Sequence, residues 1–338
     1  MTQSIQAIGF NSANAKPTLL TQIISAPQGK DLLIKIDAIA VNPVDTKVIA
    51  GIQGNLTAPK IVGWDVSGSV IAVGDDVELF NIGDKVFYAG DVTRPGCYSS
   101  HQLVDERIVG HKPNSLTSVE AAALPLTSIT AWEAIFSRLK IIADIDAGKT
   151  ILIIGAAGGV GSIAIQLAKA VAKLNVVATA SRPESQQWCT KLGADHVISH
   201  QGNLVENYRS LSIMDPDYIL CLSDTDSYFT DMAELIAVQG MICTIVGSKQ
   251  KHDLDLLKNK SAGLVWEFMF SRPMFKTDDM ISQHHLLNSI SKLIDNETLV
   301  TTLTATLGAI SVENIAEAHR RLTSGTTIGK LALTAIDQ

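Results

Sequence analysis

The stretch Ile151–Lys169 constrains the fold more than any other part of the chain. It reads Ile-Leu-Ile-Ile-Gly-Ala-Ala-Gly-Gly-Val-Gly-Ser-Ile-Ala-Ile-Gln-Leu-Ala-Lys. Ile151 to Ile154 make a short buried strand, and glycines follow at once. Val160, Ile163, Ala164, Leu167 and Ala168 then recur at helical spacing. Strand, glycine turn and helix form the phosphate-binding corner of a dinucleotide fold. Glycines let backbone N–H groups approach a pyrophosphate, and the helix N-terminus presents partial positive charge to it. The match is Ala156-x-Gly158-x-x-Gly161, with alanine in the first glycine position. Ala157, Gly158, Gly159, Val160 and Gly161 are the expected contacts. A tight strand-to-helix turn without a ligand is the alternative.

The next strand, Asn175-Val-Val-Ala-Thr-Ala-Ser-Arg-Pro183, bears on which cofactor is used. A fold built for NAD places Asp or Glu at this strand's end, where it accepts from the ribose 2′-OH. Here Ala180, Ser181 and Arg182 stand there. A guanidinium pairs with a 2′-phosphate in a charge-assisted contact, and a serine adds a donor. The expectation is NADP(H). Arg182 as a solvated loop residue beside Glu184 is the competing assignment. Lys173, Lys191 or His200 could then supply the phosphate contact.

A chain of 338 residues is too long for one ordinary core, so two domains are expected. With 46% hydrophobic and 18% charged residues, it is far from disorder. A net charge of −7 without a basic stripe argues against a nucleic-acid partner. The first residues lack a charged segment leading into a long apolar run, so no signal peptide is expected. Glycines, Gln166 and Lys169 interrupt the longest apolar stretch, so no membrane span is expected either. Cys97, Cys189, Cys221 and Cys243 are scattered, which suits reduced thiols and a cytoplasmic location.

Residues up to about 115 read as short β segments between turn signals, a barrel-like all-β block. Thr117-Ser-Val-Glu120 is a capping box, and Pro125 interrupts the helix it opens. From 150 to about 250, strands at 151–154, 176–180, 196–198, 217–222 and 241–246 alternate with helices, as in a doubly wound parallel sheet. Amphipathic helices near 281–295 and 312–323 and a last strand from Gly329 complete the tail.

This order resembles the medium-chain dehydrogenase/reductase superfamily over the whole chain. The residues that carry the likeness are Val41-Asn-Pro-Val-Asp45, Gly63-Trp-Asp-Val-Ser-Gly68, Gly83-Asp84, Leu124-Pro-Leu-Thr-Ser-Ile-Thr-Ala131, Gly155–Gly161 and Gly329-Lys330. Within it the chain is similar to the zinc-independent quinone oxidoreductase branch. Val104–Pro113 and Trp266–Phe270 further resemble bacterial proteins called zinc-type alcohol dehydrogenase-like. The resemblance implies an α/β protein with three parts. They are a GroES-like β-rich domain (1–125), a Rossmann NADP-binding domain (126–268) and a C-terminal part (269–338) returning to the first. It also implies an active site in the cleft between the domains and a homodimer joined mainly through the Rossmann sheets.

Zinc-dependent relatives place a cysteine where this chain has Asn42, and Gly-His-Glu where it has Gly63-Trp64-Asp65. A third ligand falls near Leu126–Thr127, which offers none. Cys97 and His101, four apart on an expected strand, would sit about 13 Å apart, too far to share one ion. No catalytic or structural zinc is expected. Quinones and α,β-unsaturated carbonyls accept hydride without a Lewis acid, because charge spreads onto a conjugated oxygen. The expected activity is therefore NADPH-dependent reduction of such a small molecule. Catalytic candidates are Asn42, Asp45 and Tyr88. Asn42 fits a donor to the substrate oxygen or an Asn-Pro turn former equally. Asp45 fits a structural acceptor better than a base, and Tyr88 a buried strand tyrosine better than a proton donor. By family position Thr127 and Lys330 lie near the cofactor, and His200 near its adenosine end. Leu222-Ser223 and Val246-Gly247 end the fourth and fifth strands, where a dinucleotide crosses the sheet. Trp266, Phe268, Met269 and Phe270 would wall a substrate slot or pack in a core or dimer. Two alternatives stay open: a zinc-dependent alcohol dehydrogenase with unusual ligands, and an NADPH-binding regulatory or structural protein with little turnover.

Overall fold

The structure is a computed structural model and describes residues 3–336. The chain divides into two units, Met1–Ile129 with Phe270–Gln338, and Thr130–Met269. The first begins with an antiparallel hairpin, β1 (Gln3–Gly9) and β2 (Thr18–Ile24). β3 (Asp31–Ala40) follows, with Leu32, Ile34, Ile36 and Ile39 all buried. It runs into α1 (Pro43–Ala50), where Pro43 presets φ for the first turn. The Asp45 carboxylate accepts the Asn42 N–H there at 2.8 Å. β4 (Asp65–Val73), β5 (Lys85–Ala89), β6 (His101–Asp105) and β7 (Val109–His111) complete this β-rich stretch. α2 (Ser118–Ala122) opens on the Thr117/Glu120 capping box. Pro125 does not merely interrupt it: as the first residue of α3 (Pro125–Trp132) it starts a new helix, where its missing N–H costs nothing. α3 continues into a π-helical turn, Glu133–Arg138.

In the second unit, strands and helices alternate. They run β8 (Thr150–Ile154), α4 (Gly159–Gln166), β9 (Asn175–Thr179), α5 (Pro183–Lys191), β10 (His196–Ile198) and α6 (Leu204–Arg209). They continue through β11 (Tyr218–Cys221), α7 (Thr225–Leu235), β12 (Met241–Thr244), α8 (Asp255–Lys258) and β13 (Gly263–Trp266). The sheet is parallel throughout, in the order β10-β9-β8-β11-β12-β13. Counted within the unit, that is 3-2-1-4-5-6, the Rossmann order, with its switch point between β8 and β11. Helices cover both faces, so the central strands read as unbroken apolar runs; Ile151–Ile154 and all of β11 are buried.

The chain then returns to the first unit through α9 (Ser271–Phe275), α10 (Ser282–Asp295), β14 (Leu303–Ala309), α11 (Val312–Thr323) and β15 (Lys330–Thr334). β15 lies between β14, which it pairs in parallel, and β3, which it pairs antiparallel. The resulting sheet runs β14-β15-β3-β4-β5-β7, with β6 also on β3. This pairing places Lys330 beside the end of β3. Among the described residues no helix is long and apolar enough to cross a membrane. All four cysteines are free thiols and buried.

Candidate active site

Twelve of the residues expected to bind a cofactor lie in the second unit, at or just beyond the carboxyl ends of its strands. Gly155 leaves β8 at φ +81°, a conformation that favours glycine. Gly158 caps α4, and Gly159, Val160 and Gly161 form its first turn, whose N–H groups have no acceptor within the helix. Next to Gly158 only one atom, the Gly155 oxygen at 3.6 Å, would meet an added Cβ; its approach is open. Ala157 lies in the turn between. A Cβ at Gly161, by contrast, would sit 2.3 Å from the Ala156 carbonyl oxygen, so this glycine lets α4 pack on its own turn. Ser223 abuts Gly155, since a Cβ there would lie 3.4 Å from the Ser223 Cβ, and the Leu222 N–H is held by the Ile154 carbonyl at 2.9 Å. The Thr225 hydroxyl donates to the Val246 carbonyl at 2.6 Å, fixing the loop that carries Gly247.

Beyond β9 and β10 the fold brings Ser181, Arg182 and His200 together. Ser181 Oγ is 3.3 Å from His200 Nε2, and the Arg182 charge is close enough to bear on the imidazole. Burial first, and then that charge, push the His200 pKa down. His200 Nδ1 is buried without a hydrogen-bond partner. Arg182 also stands at the N-cap of α5. A neutral imidazole with an unused nitrogen, a hydroxyl, a guanidinium and a helix N-terminus form a donor-rich place for a phosphate. These residues fit a dinucleotide.

The remaining candidates lie in the first unit, around a buried carboxylate. Asp65 Oδ1 accepts the Leu126 N–H at 2.7 Å, from the first turn of α3. Asp65 Oδ2 accepts from Asn42 Nδ2 at 2.8 Å and from the Lys330 ammonium at 2.9 Å. Lys330 also donates to the Val41 carbonyl at 2.9 Å and to Asn42 Oδ1. The Asn42 amide is thus engaged at both ends. Thr127 donates to the Leu124 carbonyl at 3.0 Å, the backbone bond of a threonine within a helix. Tyr88, wholly buried on β5, donates to Gln102 Oε1 at 2.9 Å, and burial pushes its phenol far above the usual range.

A second chain of polar contacts leads off this centre. Asp45 Oδ2 accepts from the Asn42 N–H and from the Tyr98 hydroxyl, each at 2.8 Å. Tyr98 in turn lies 2.9 Å from His319 Nε2. Burial raises the Asp45 pKa to about 7 and lowers that of His319 to about 4. The single Tyr98 proton serves Asp45 when Asp45 is ionised, so neutral His319 then carries its hydrogen on Nε2. Neither Tyr98 nor His319 was singled out from sequence. They lie 53 and 274 residues from Asp45, and only the fold joins them.

Zinc needs thiolate, imidazole or carboxylate ligands together. Around Asp65 the chain offers an amide, a backbone carbonyl and an ammonium instead, while Trp64 is buried and donates to the Asp91 carbonyl at 3.1 Å. Among the described residues no group of three or more His, Cys, Asp or Glu could hold a metal. The residues present do not fit zinc. Of the aromatic run, Met269 and Phe270 are buried, Phe270 against Trp64, whereas Trp266 and Phe268 are each 46% exposed.

Comparison with known proteins agrees with this arrangement. Residues 28–114 match the alcohol dehydrogenase GroES-like domain, and residues 159–276 the zinc-binding dehydrogenase family. A Staphylococcus aureus (strain COL) zinc-type alcohol dehydrogenase-like protein is 44% identical over 91% of both chains. The chain is a medium-chain dehydrogenase/reductase. Among solved structures, a Rhizobium etli CFN 42 protein described as a candidate zinc-dependent alcohol dehydrogenase is 45% identical, with a TM-score of 0.94 over 99% of each chain. The quinone oxidoreductase of Coxiella burnetii is 25% identical, with a TM-score of 0.80 over 98% of this chain and 99% of that one. Membership makes the protein an oxidoreductase with the nicotinamide-dinucleotide-binding fold of that superfamily. The zinc in the names of its relatives has no matching ligand set here.

Proposed function

We propose that the protein is an NADPH-dependent reductase that passes hydride to a quinone or an α,β-unsaturated carbonyl without a metal. The observation that carries this reading is the centre around Asp65, where the positions corresponding to zinc ligands hold Asn42, Trp64 and Asp65. A saturated ketone needs strong polarisation of its oxygen. A conjugated acceptor spreads the incoming charge itself and tolerates protonation by water. The likeness to a quinone oxidoreductase supports the same choice.

In this reading Ala157, Gly158, Gly159, Val160 and Gly161 hold the pyrophosphate, and Ser181, Arg182 and His200 the 2′-phosphate. Leu222, Ser223, Val246 and Gly247 line the path toward the nicotinamide, and Thr127 and Lys330 support its far end. The bound cofactor supplies the hydride. Asn42 and Asp45 orient the catalytic unit's polar centre, Tyr88 is committed to Gln102, and the proton is left to solvent. The buried, unpaired thiols fit a cytoplasmic protein. The edge position of β13, with Trp266 and Phe268 exposed beside it, supports a homodimer joined through the Rossmann units.

Two measurements test the proposal. NADPH oxidation should accelerate with quinones and enones and not with saturated aldehydes. The purified protein should carry far less than one zinc per chain and keep its activity in chelator. Stoichiometric zinc with chelator-sensitive turnover would refute the metal-free reading. Cofactor choice is tested at Arg182. A charge-assisted contact is worth about 1.5–3 kcal/mol, so Arg182→Ala should weaken NADPH binding roughly ten- to a hundredfold and barely change NADH. Equal affinity of the unmodified protein for both cofactors would defeat the assignment.

A further inference from the structure

We infer that the centre around Asp65 is a built site for a primary ammonium group, filled permanently by the protein's own Lys330. The acceptors are one carboxylate oxygen of Asp65, the Asn42 amide oxygen and the Val41 carbonyl. Their formal charge sums to that of a single carboxylate, which balances a monocation and leaves a divalent ion unneutralised. Three acceptors also match the three N–H donors of an ammonium. The Lys330 and Asp65 side chains are 4% and 0% exposed, so water does not share the task. Lys330 opens a strand whose next three residues, Leu331-Ala-Leu333, are apolar, and its side chain runs inward to reach the carboxylate.

The site does more than balance charge. Asp65 Oδ1 accepts the Leu126 N–H, so the cation that holds Asp65 also fixes the first turn of α3, next to Thr127. The same ammonium orients the Asn42 amide, whose N–H group donates to the same Asp65 oxygen, Oδ2. β15, the end of β3, the start of β4 and the start of α3 therefore meet on one positive charge. Lys330 is a positioning residue that acts through Asp65. The inference does not rest on which carbonyl compound is reduced, because its test reads stability.

The test is cation rescue. Lys330→Ala keeps the Cβ and removes three methylenes and the ammonium, the shape of n-propylammonium. Leaving a buried carboxylate unpaired should lower Tm by about 6–12 °C. Propylammonium at millimolar concentrations should recover at least half of that loss saturably, with methylammonium less effective. Propanol and potassium chloride should do nothing, and the unmodified protein should not respond. Amines that act no better than potassium chloride on a folded Lys330→Ala protein would overturn the inference. If that variant does not fold, the comparison passes to Lys330→Met and Lys330→Met/Asp65→Asn. Removing the orphaned charge should make the double variant melt higher than the single one. A double variant that melts lower, by the sum of the two single effects, would overturn it equally.

Discussion

Gly161→Ala should reduce NADPH affinity at least about a hundredfold and destabilise the Rossmann unit by about 3 kcal/mol or more. The added Cβ would lie 2.3 Å from the Ala156 oxygen and 2.5 Å from its carbonyl carbon and Cα. These are backbone atoms of the turn itself and cannot swing aside. Relief requires α4 to move away from β8, which withdraws the helix N-terminus from the phosphate it would serve. Gly158→Ala gives the contrasting result. Its Cβ meets only the Gly155 oxygen at an ordinary 3.6 Å, so stability should hold while the methyl obstructs the approach to the backbone amides. Calorimetric unfolding with NADPH titration separates the two. Loss of both properties is expected at Gly161, and loss of binding alone at Gly158. A Gly161→Ala protein that binds as tightly as the parent would show that the turn is not the phosphate site.

The parts of this fold that are legible in the sequence are those set by local pattern. The parallel strands after residue 150 are short apolar runs buried on both faces, and each lies between a glycine or polar turn and a helical repeat. Their positions follow within a residue or two. β13 escapes this reading because Gly263–Trp266 opens on glycine and follows a polar run ending at Ser261. The β1–β2 hairpin escapes because β2 is mostly exposed and its turn carries no two-residue hairpin signal. α1 hides behind Asn42-Pro43, which reads as a turn until the Asp45 carboxylate is seen closing onto the Asn42 N–H.

The site divides in the same way. The glycine turn and the Ser181–Arg182 pair are contiguous in sequence, and sequence finds them. The centre that joins Asn42, Asp65 and Lys330 spans β3, β4 and β15, and no local pattern announces it. One signal was available: Asp65 and Lys330 each open a strand that is otherwise apolar or small, and opposite charges in such places are expected to meet. Sequence leaves Asn42 divided between a substrate donor and an Asn-Pro turn former and favours a buried strand tyrosine at Tyr88, and the fold gives each a partner within the protein.

Arg138→Met should be among the most damaging substitutions in the second unit, and more so as pH rises. Glu133 and Glu267 are each 1% exposed, and both approach this one guanidinium. Arg138 Nε lies 2.7 Å from Glu267 Oε2, and its Nη2 lies 3.8 Å from Glu133 Oε2. Two neighbouring buried carboxyl groups cannot both ionise cheaply. Burial, and then the neighbouring Glu133 charge, raise the Glu267 pKa from 4.5 to about 8. The folded protein therefore holds a proton that the unfolded chain releases near 4.5. The resulting stabilisation is complete below that value and is lost as pH rises through about 8. Removing Arg138 takes away a positive charge that favours ionisation of Glu267. It should cost about 3–5 kcal/mol at pH 8 and clearly less at pH 5, where Glu267 is protonated. Glu133→Gln should act in the opposite sense, lowering the Glu267 pKa and flattening the fall in stability above neutral pH. Placed in the Arg138→Met background, it should restore part of the lost stability. Denaturant unfolding at pH 5 and pH 8 on the three variants measures all of this. An Arg138→Met cost that is the same at both values would show that the guanidinium matters for packing and not for the charge of the pair.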